Sequence, residues 1–211
     1  MDYLNDLIER YPSLEVCRKD IQDAFDSLAY NYAIGGKLLI AGNGGSAADA
    51  QHIVAELMKS VVRERPIDVK YADVLKMVDP DMGTVLARTL QGSLPAIALS
   101  SHASLNTAFA NDCNPDLIFA QQVFGYGGDK DVFLAISTSG NSKNILYAAV
   151  AAKAKGLRVI ALTGKTGGRL ASLADICIKV PETETYKVQE LHLPVYHCLC
   201  LMLEEHFFNN K

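Results

Sequence analysis

Two stretches of this chain repeat one pattern, and that pattern limits the fold more than any other feature. An apolar run, Lys37-Leu38-Leu39-Ile40-Ala41, passes directly into Gly42-Asn43-Gly44-Gly45-Ser46 and then into helical spacing from Ala47 to Met58. Further on, Val132-Phe133-Leu134-Ala135-Ile136 passes into Ser137-Thr138-Ser139-Gly140-Asn141-Ser142, and a helix follows from Asn144 to Lys155, closed by Gly156. Short continuous apolar runs bounded by turn residues read as strands buried on both faces. Further strands are expected at Leu94–Leu99, Leu157–Leu162 and Ile176–Val180. Strands alternating with helices predict a parallel sheet covered on both sides, an α/β/α arrangement in three layers.

Helices are expected at both ends. After Pro12, Ser13 stands as an N-cap, and Leu14, Cys17, Ile21, Ala24, Phe25 and Leu28 recur at helical spacing until Gly35-Gly36. Tyr186 to Phe208 reads as a long helix with Pro194 inside it, a candidate kink. Residues 62–93 break the alternation: Asp68 to Val78 and Asp81 to Leu90 read as an inserted helical hairpin, joined at Asp79-Pro80. A cover over the core or a subunit contact is the expected role, with a substrate lid as the alternative. The whole chain, 1–211, is expected to form one domain around this insertion.

Composition narrows the function. Formal net charge is −4, from 20 Lys+Arg and 24 Asp+Glu, which argues against nucleic acid or an anionic membrane as partner. The N-terminus has neither a basic nor an apolar leader region, and no apolar run is long enough to span a bilayer. The 5 cysteines show no C-x-x-C, and those at 17, 177, 198 and 200 lie in apolar stretches, as buried free thiols do. A cytoplasmic location is expected.

The chemistry is concentrated in the two strand-to-helix turns. Ligands of open parallel sheets bind beyond the carboxyl ends of the strands, and helix N-termini suit phosphate. Gly42, Gly44 and Gly45 let a backbone approach a ligand. Ser137, Thr138, Ser139 and Ser142 add hydroxyls, so phosphate can be held without a lysine. Simple helix capping is the alternative for each turn alone. Gly42-Asn43-Gly44-Gly45-Ser46-Ala47 also fits a dinucleotide fingerprint, which requires a strand ending in an acid about 20 residues on. Glu64 stands near that distance with no strand before it. His52 and Glu56 share a helix face, and taken alone they read as a surface pair rather than a metal site. Gln189 and His197 are eight apart on the last helix, about 12 Å along its axis. His197 alone reads equally as a core residue, and His102, His192 and His206 as structural or solvated.

Taken together, Gly42 to His52, Ile136 to Ser142, Ala161-Leu162-Thr163-Gly164-Lys165 and Val188-Gln189-Glu190-Leu191-His192 resemble a sugar-isomerase (SIS) domain, and within it the phosphoheptose isomerase family. The resemblance implies conversion of sedoheptulose 7-phosphate into D-glycero-D-manno-heptose 7-phosphate, towards heptose for surface glycans. It implies a cytoplasmic homotetramer with sites at subunit interfaces. It places substrate binding on Asn43, Gly44, Gly45, Ser46, Glu56, Asn111, Asp112, Ser137, Thr138, Ser139, Ser142 and Gln189. It makes Glu56 and His197 catalytic, and His52, Glu56, Gln189 and His197 ligands of one zinc ion per subunit. A related SIS group serving in replication initiation lacks the catalytic pair, which this chain has. Two departures bear on the sugar. The family's Leu-Thr-Gly-Arg is here Leu57-Met58-Lys59-Ser60, and its Asp-Arg-Ile is Tyr186-Lys187-Val188.

Overall fold

A computed structural model describes residues 2–209. The elements run α1 (Tyr3–Arg10), α2 (Arg18–Ala33), β1 (Leu38–Ala41), α3 (Gly45–Met58), α4 (Val69–Val78), α5 (Pro80–Thr89), β2 (Ala96–Ala98), α6 (Ala103–Asp112), α7 (Ile118–Tyr126), β3 (Val132–Ser137), α8 (Lys143–Ala154), β4 (Arg158–Thr163), α9 (Leu170–Leu173), β5 (Ile176–Lys179) and α10 (Thr185–Phe208). Every strand pairing is parallel, and the order is β2-β1-β3-β4-β5.

The strands divide their side chains between two cores, as the pleat requires. Leu38, Ile40, Val132, Leu134, Ile136, Ile160 and Leu162 face a core shared with α1, α2, α3 and α10. Leu39, Ala41, Phe133, Ala135, Val159 and Ala161 face the opposite core, against α7 and α8. The expected three layers are therefore present. β2 is shorter than the apolar run suggested, because Pro95 has no N–H for the ladder; its carbonyl still accepts from the Leu38 N–H at 2.9 Å. β3 and β4 each run one residue further, so Ser137 and Thr163 end strands.

The N-terminal region differs from expectation. Ser13 caps nothing: Pro12–Cys17 is a 3-10 turn, and α2 begins only at Arg18. The three-residue spacing from Leu14 to Cys17 fits a 3-10 turn as well as an α-helix. α1, capped by Asp2 through the Asn5 N–H at 3.0 Å, went unread because it buries only Leu4 and Leu7.

α4 and α5 form a tight hairpin. A Cβ on Gly83 would stand 2.1 Å from the Leu75 carbonyl oxygen, so the helices cross backbone to backbone. Asp68 and Asp79 cap them. The base is closed by a bridge between Pro66 and Gln91 and by the Gly92 N–H on the Arg65 carbonyl at 2.6 Å. α4 buries no side chain and α5 only Gly83, so the hairpin is not a cover over its own core. Met77 and Val78 are more than four-fifths exposed (83% and 82%).

Below the hairpin lies an ion pair cut off from water. Arg65 and Glu204 side chains are both 0% exposed, with Nε to Oε1 at 2.8 Å. Arg65 also donates to the Leu57 carbonyl at 2.9 Å and the Glu56 carbonyl at 3.1 Å, and lies over the Phe208 ring. Glu204 accepts from the Val61 and Val62 N–H groups at 2.8 and 3.0 Å. Burial alone would raise the Glu204 carboxyl, but those amides and Arg65 outweigh it and hold the carboxyl below its ordinary value. Removing one partner of a buried pair strands the other. Glu204→Gln is expected to lose about 3–5 kcal/mol in urea unfolding. Arg18→Ala, which breaks an exposed pair with Glu15, should lose less than about 1 kcal/mol.

Candidate active site

Sheet order places the site. From β1 the chain crosses to β2 on one side, and β3 then pairs on the other side, so the connections diverge between β1 and β3. Crevices of this kind accept ligands in open parallel sheets. Both glycine- and serine-rich loops leave the sheet there, and they are tied together. Asn43 and Asn144 exchange side-chain amide bonds, 2.9 Å in each direction. Sequence reading gave Asn144 no role; its partner is remote in sequence.

Neither loop serves to cap its helix. Gly44, at φ +53°, precedes α3 with no side-chain cap. Ser142 precedes α8, but its hydroxyl meets Ser137 Oγ at 3.0 Å instead of capping the helix. The first turns of α3 and α8 are thus left without side-chain acceptors, the condition under which a helix N-terminus accepts an anion. Gly140, at φ +65°, lies so close to Gly167 that a Cβ would stand 2.0 Å from its carbonyl oxygen. Ser139 Oγ accepts the Asn141 N–H at 3.2 Å, Ser46 and Ser137 are buried, and Thr138 is half-buried.

α3 and α10 lie side by side and bring the other residues in. At the loop end, Gln189 presses on Gly45: a Cβ there would meet its Nε2 at 2.5 Å. About 10 Å further along α3, His52 meets His197 edge to face, with ring centroids 5.0 Å apart. His52 Nε2 is 3.4 Å from Glu56 Oε1. His52, Glu56 and His197 line a cavity of about 570 Å³ whose wall also includes Tyr3, Arg10 and Val62. Burial pushes the His197 imidazole below its ordinary value; His52 adds to this, and Glu56 opposes it. Two residues unread in the sequence complete the cluster: Tyr196 Oη lies 2.9 Å from His52 Nδ1 and 3.4 Å from Asp49 Oδ1.

One chain does not bring every expected residue together. Asn111 and Asp112 stand exposed at the end of α6, hydrogen-bonded to each other at 2.8 Å, away from the cavity wall. Gln189 belongs to the loop end rather than to the His52–Glu56–His197 group. Among the described residues, no three His, Cys, Asp or Glu side chains form a metal cage. The donor types suit zinc; His52, Glu56 and His197 line one cavity, and Gln189 stands outside its wall. Glu64 lies in irregular chain after α3, not at a strand end, so the acid of a dinucleotide fold is missing. His192, read as structural or solvated, is fully buried on α10, and burial pushes it down to about 4.

The SIS domain family matches residues 80–164. The phosphoheptose isomerase of Aneurinibacillus thermoaerophilus is 41% identical over 85% of this chain and 78% of its own. That of Rhodospirillum rubrum is 40% identical over 90% and 87%. The chain belongs to the phosphoheptose isomerase family. Solved structures agree: the phosphoheptose isomerase GmhA of Neisseria gonorrhoeae superposes with a TM-score of 0.75 at 31% identity, over 95% of this chain and 94% of that one. The phosphoheptose isomerase of Francisella tularensis gives 0.76 at 30% identity, over 96% and 95%. Membership makes the chain an isomerase.

Two glycines separate function from folding. Gly45→Ala meets only the flexible end of Gln189, so the variant should fold with near-wild-type melting while Gln189 is displaced and the KM for phosphosugar rises. Gly42→Ala would place a Cβ 2.4 Å from the Ser46 carbonyl oxygen. That variant should melt well below wild type in a thermal scan, because the contact is with backbone.

Proposed function

We propose that this chain interconverts sedoheptulose 7-phosphate and D-glycero-D-manno-heptose 7-phosphate through an enediol. The observation that carries the reading is the pairing of Glu56 and His197 on facing helices at one cavity, in a chain about 40% identical to phosphoheptose isomerases. Aldose–ketose isomerisation moves a proton from one carbon to its neighbour and exchanges a carbonyl for a hydroxyl. It needs a base at carbon and an acid/base group at the oxygens. Glu56 takes the proton from carbon and returns it to the adjacent carbon. His197 transfers the proton between the two sugar oxygens. The phosphate sits against Ser137, Thr138, Ser139 and Ser142 at the start of α8, and Asn43 to Ser46 with Gln189 bind the sugar.

Glu56→Gln and His197→Ala should each lower turnover of sedoheptulose 7-phosphate by roughly 10²–10⁴-fold. Near-wild-type turnover in both would remove the assignment. A second phosphosugar is the competing substrate, favoured by Lys59 in the cavity wall, within the stretch that departs from the family's Leu-Thr-Gly-Arg. A panel of pentose, hexose and heptose phosphates separates the two readings.

The assembled protein is proposed to be a cytoplasmic homotetramer with sites completed across subunits. Support comes from Asn111, Asp112 and Gln189, which stand outside the cavity of their own chain. One zinc per subunit, on His52, Glu56, Gln189 and His197, belongs to the same proposal; its support is donor chemistry, and no step above depends on it. Protein purified without chelator should carry about one zinc per chain by elemental analysis, and His52→Ala should lose it. Equal metal in both would exclude His52 as a ligand.

A further inference from the structure

Tyr196 has no part in the reading above, yet its hydroxyl is the group that meets His52 Nδ1, at 2.9 Å. The two rings are edge to face, with centroids 5.5 Å apart at 78°. The same hydroxyl lies 3.4 Å from Asp49 Oδ1. Tyr196 is 2% exposed, and Asp49 Oδ2 is buried without a hydrogen-bond partner. Among the described residues, Tyr196 is the side-chain donor on which this carboxylate depends.

The order of protons along Asp49, Tyr196 and His52 follows from what each group can do. A carboxylate accepts and does not donate, and a phenol has one proton. A buried carboxylate with one oxygen already unpartnered takes that proton, since stranding the second oxygen would cost more. Tyr196 Oη is then an acceptor toward His52, so Nδ1 carries the ring N–H. In the neutral imidazole Nε2 is left as a lone pair. Nε2 stands 3.4 Å from Glu56 Oε1, acceptor beside acceptor. Such a pair is satisfied by a proton or a cation held between the two.

We infer that Tyr196, oriented by Asp49, is a positioning residue that fixes His52 in the Nδ1–H tautomer and presents Nε2 to Glu56 as an electron-pair donor. The functional part of this inference rests on the isomerase reading, in which Glu56 is the carbon base. A histidine free to flip or to change tautomer would place an N–H against Glu56 and compete for the carboxylate that must receive the carbon-bound proton. The relay removes that competition without itself touching the sugar.

The tautomer can be read directly, in chelator-treated protein free of metal and substrate, from the ring nitrogens of ¹⁵N-labelled histidine in long-range ¹H–¹⁵N correlation spectra at neutral pH. Wild type should show His52 with its proton on Nδ1. Tyr196→Phe removes the acceptor and should shift His52 toward Nε2–H. Asp49→Ala removes the carboxylate, frees the Tyr196 hydroxyl to donate to His52 Nδ1 and should also give Nε2–H. This second variant keeps the test decisive if the first one unfolds. Tyr196→Phe should lower kcat by roughly 10- to 100-fold with KM near wild type, the usual scale for removing an outer hydrogen-bond partner of a functional histidine. Wild-type His52 in the Nε2–H form, or a His52 spectrum unchanged in both variants, would overturn the inference. An Nδ1–H His52 in a protein that turns over no heptose phosphate would leave the relay standing and remove the isomerase reading instead.

Discussion

A guanidinium and a carboxylate, both shut away from water, hold the end of α3 against the end of α10. Arg65 bonds the Glu56 and Leu57 carbonyls, which the end of a helix leaves without partners, and it also bonds Glu204 on α10. Glu204 in turn gathers the Val61 and Val62 amides. With that end fixed, the two helices run alongside each other, and residues advance in step. Gly45 meets Gln189, and seven residues further on His52 meets His197, eight residues beyond Gln189. The backbone of Glu56 is thus held directly by the pair. A buried ion pair contributes little net stability against an apolar replacement; here it ties together the two helices that carry Glu56 and His197.

The loop end of the site is built on a different principle. Two helix starts without side-chain caps, a set of hydroxyls and the Asn43–Asn144 amide pair bring together neutral groups of the kind that suit an anion. Net charge therefore says little about a small phosphate ester, although −4 still weighs against a polyanion, which draws on many cationic side chains.

Much of the architecture was legible in the chain because its strands are buried on both faces and read as apolar runs. The two loops were legible for a related reason: glycine and serine stand where a backbone must turn and still meet a ligand. The elements that were not legible are short: α1, α6, α7 and α9 each run ten residues or fewer, and α6 hides no side chain. Ser13 misled because a spacing of three serves both a 3-10 turn and an α-helix. The hairpin's helices were visible as two segments joined at Asp79-Pro80, but a local pattern does not say what a helix packs against, and these two bury only Gly83.

Within the site the division is sharper. The sequence by itself determined the chemical inventory: two loops fit for phosphate, a carboxylate and imidazoles at helical spacing, and family motifs joining them. Local patterns suffice for that, since hydrogen-bonding capacity and helical phase are properties of short segments. The tertiary structure alone decided which groups meet. It joined Asn43 to Asn144, put Tyr196 and Asp49 behind His52, buried Arg65 with Glu204, and left Asn111, Asp112 and Gln189 outside the cavity. Those pairings join residues far apart in the chain, and helix packing against a shared sheet, rather than any local preference, sets the distances between them.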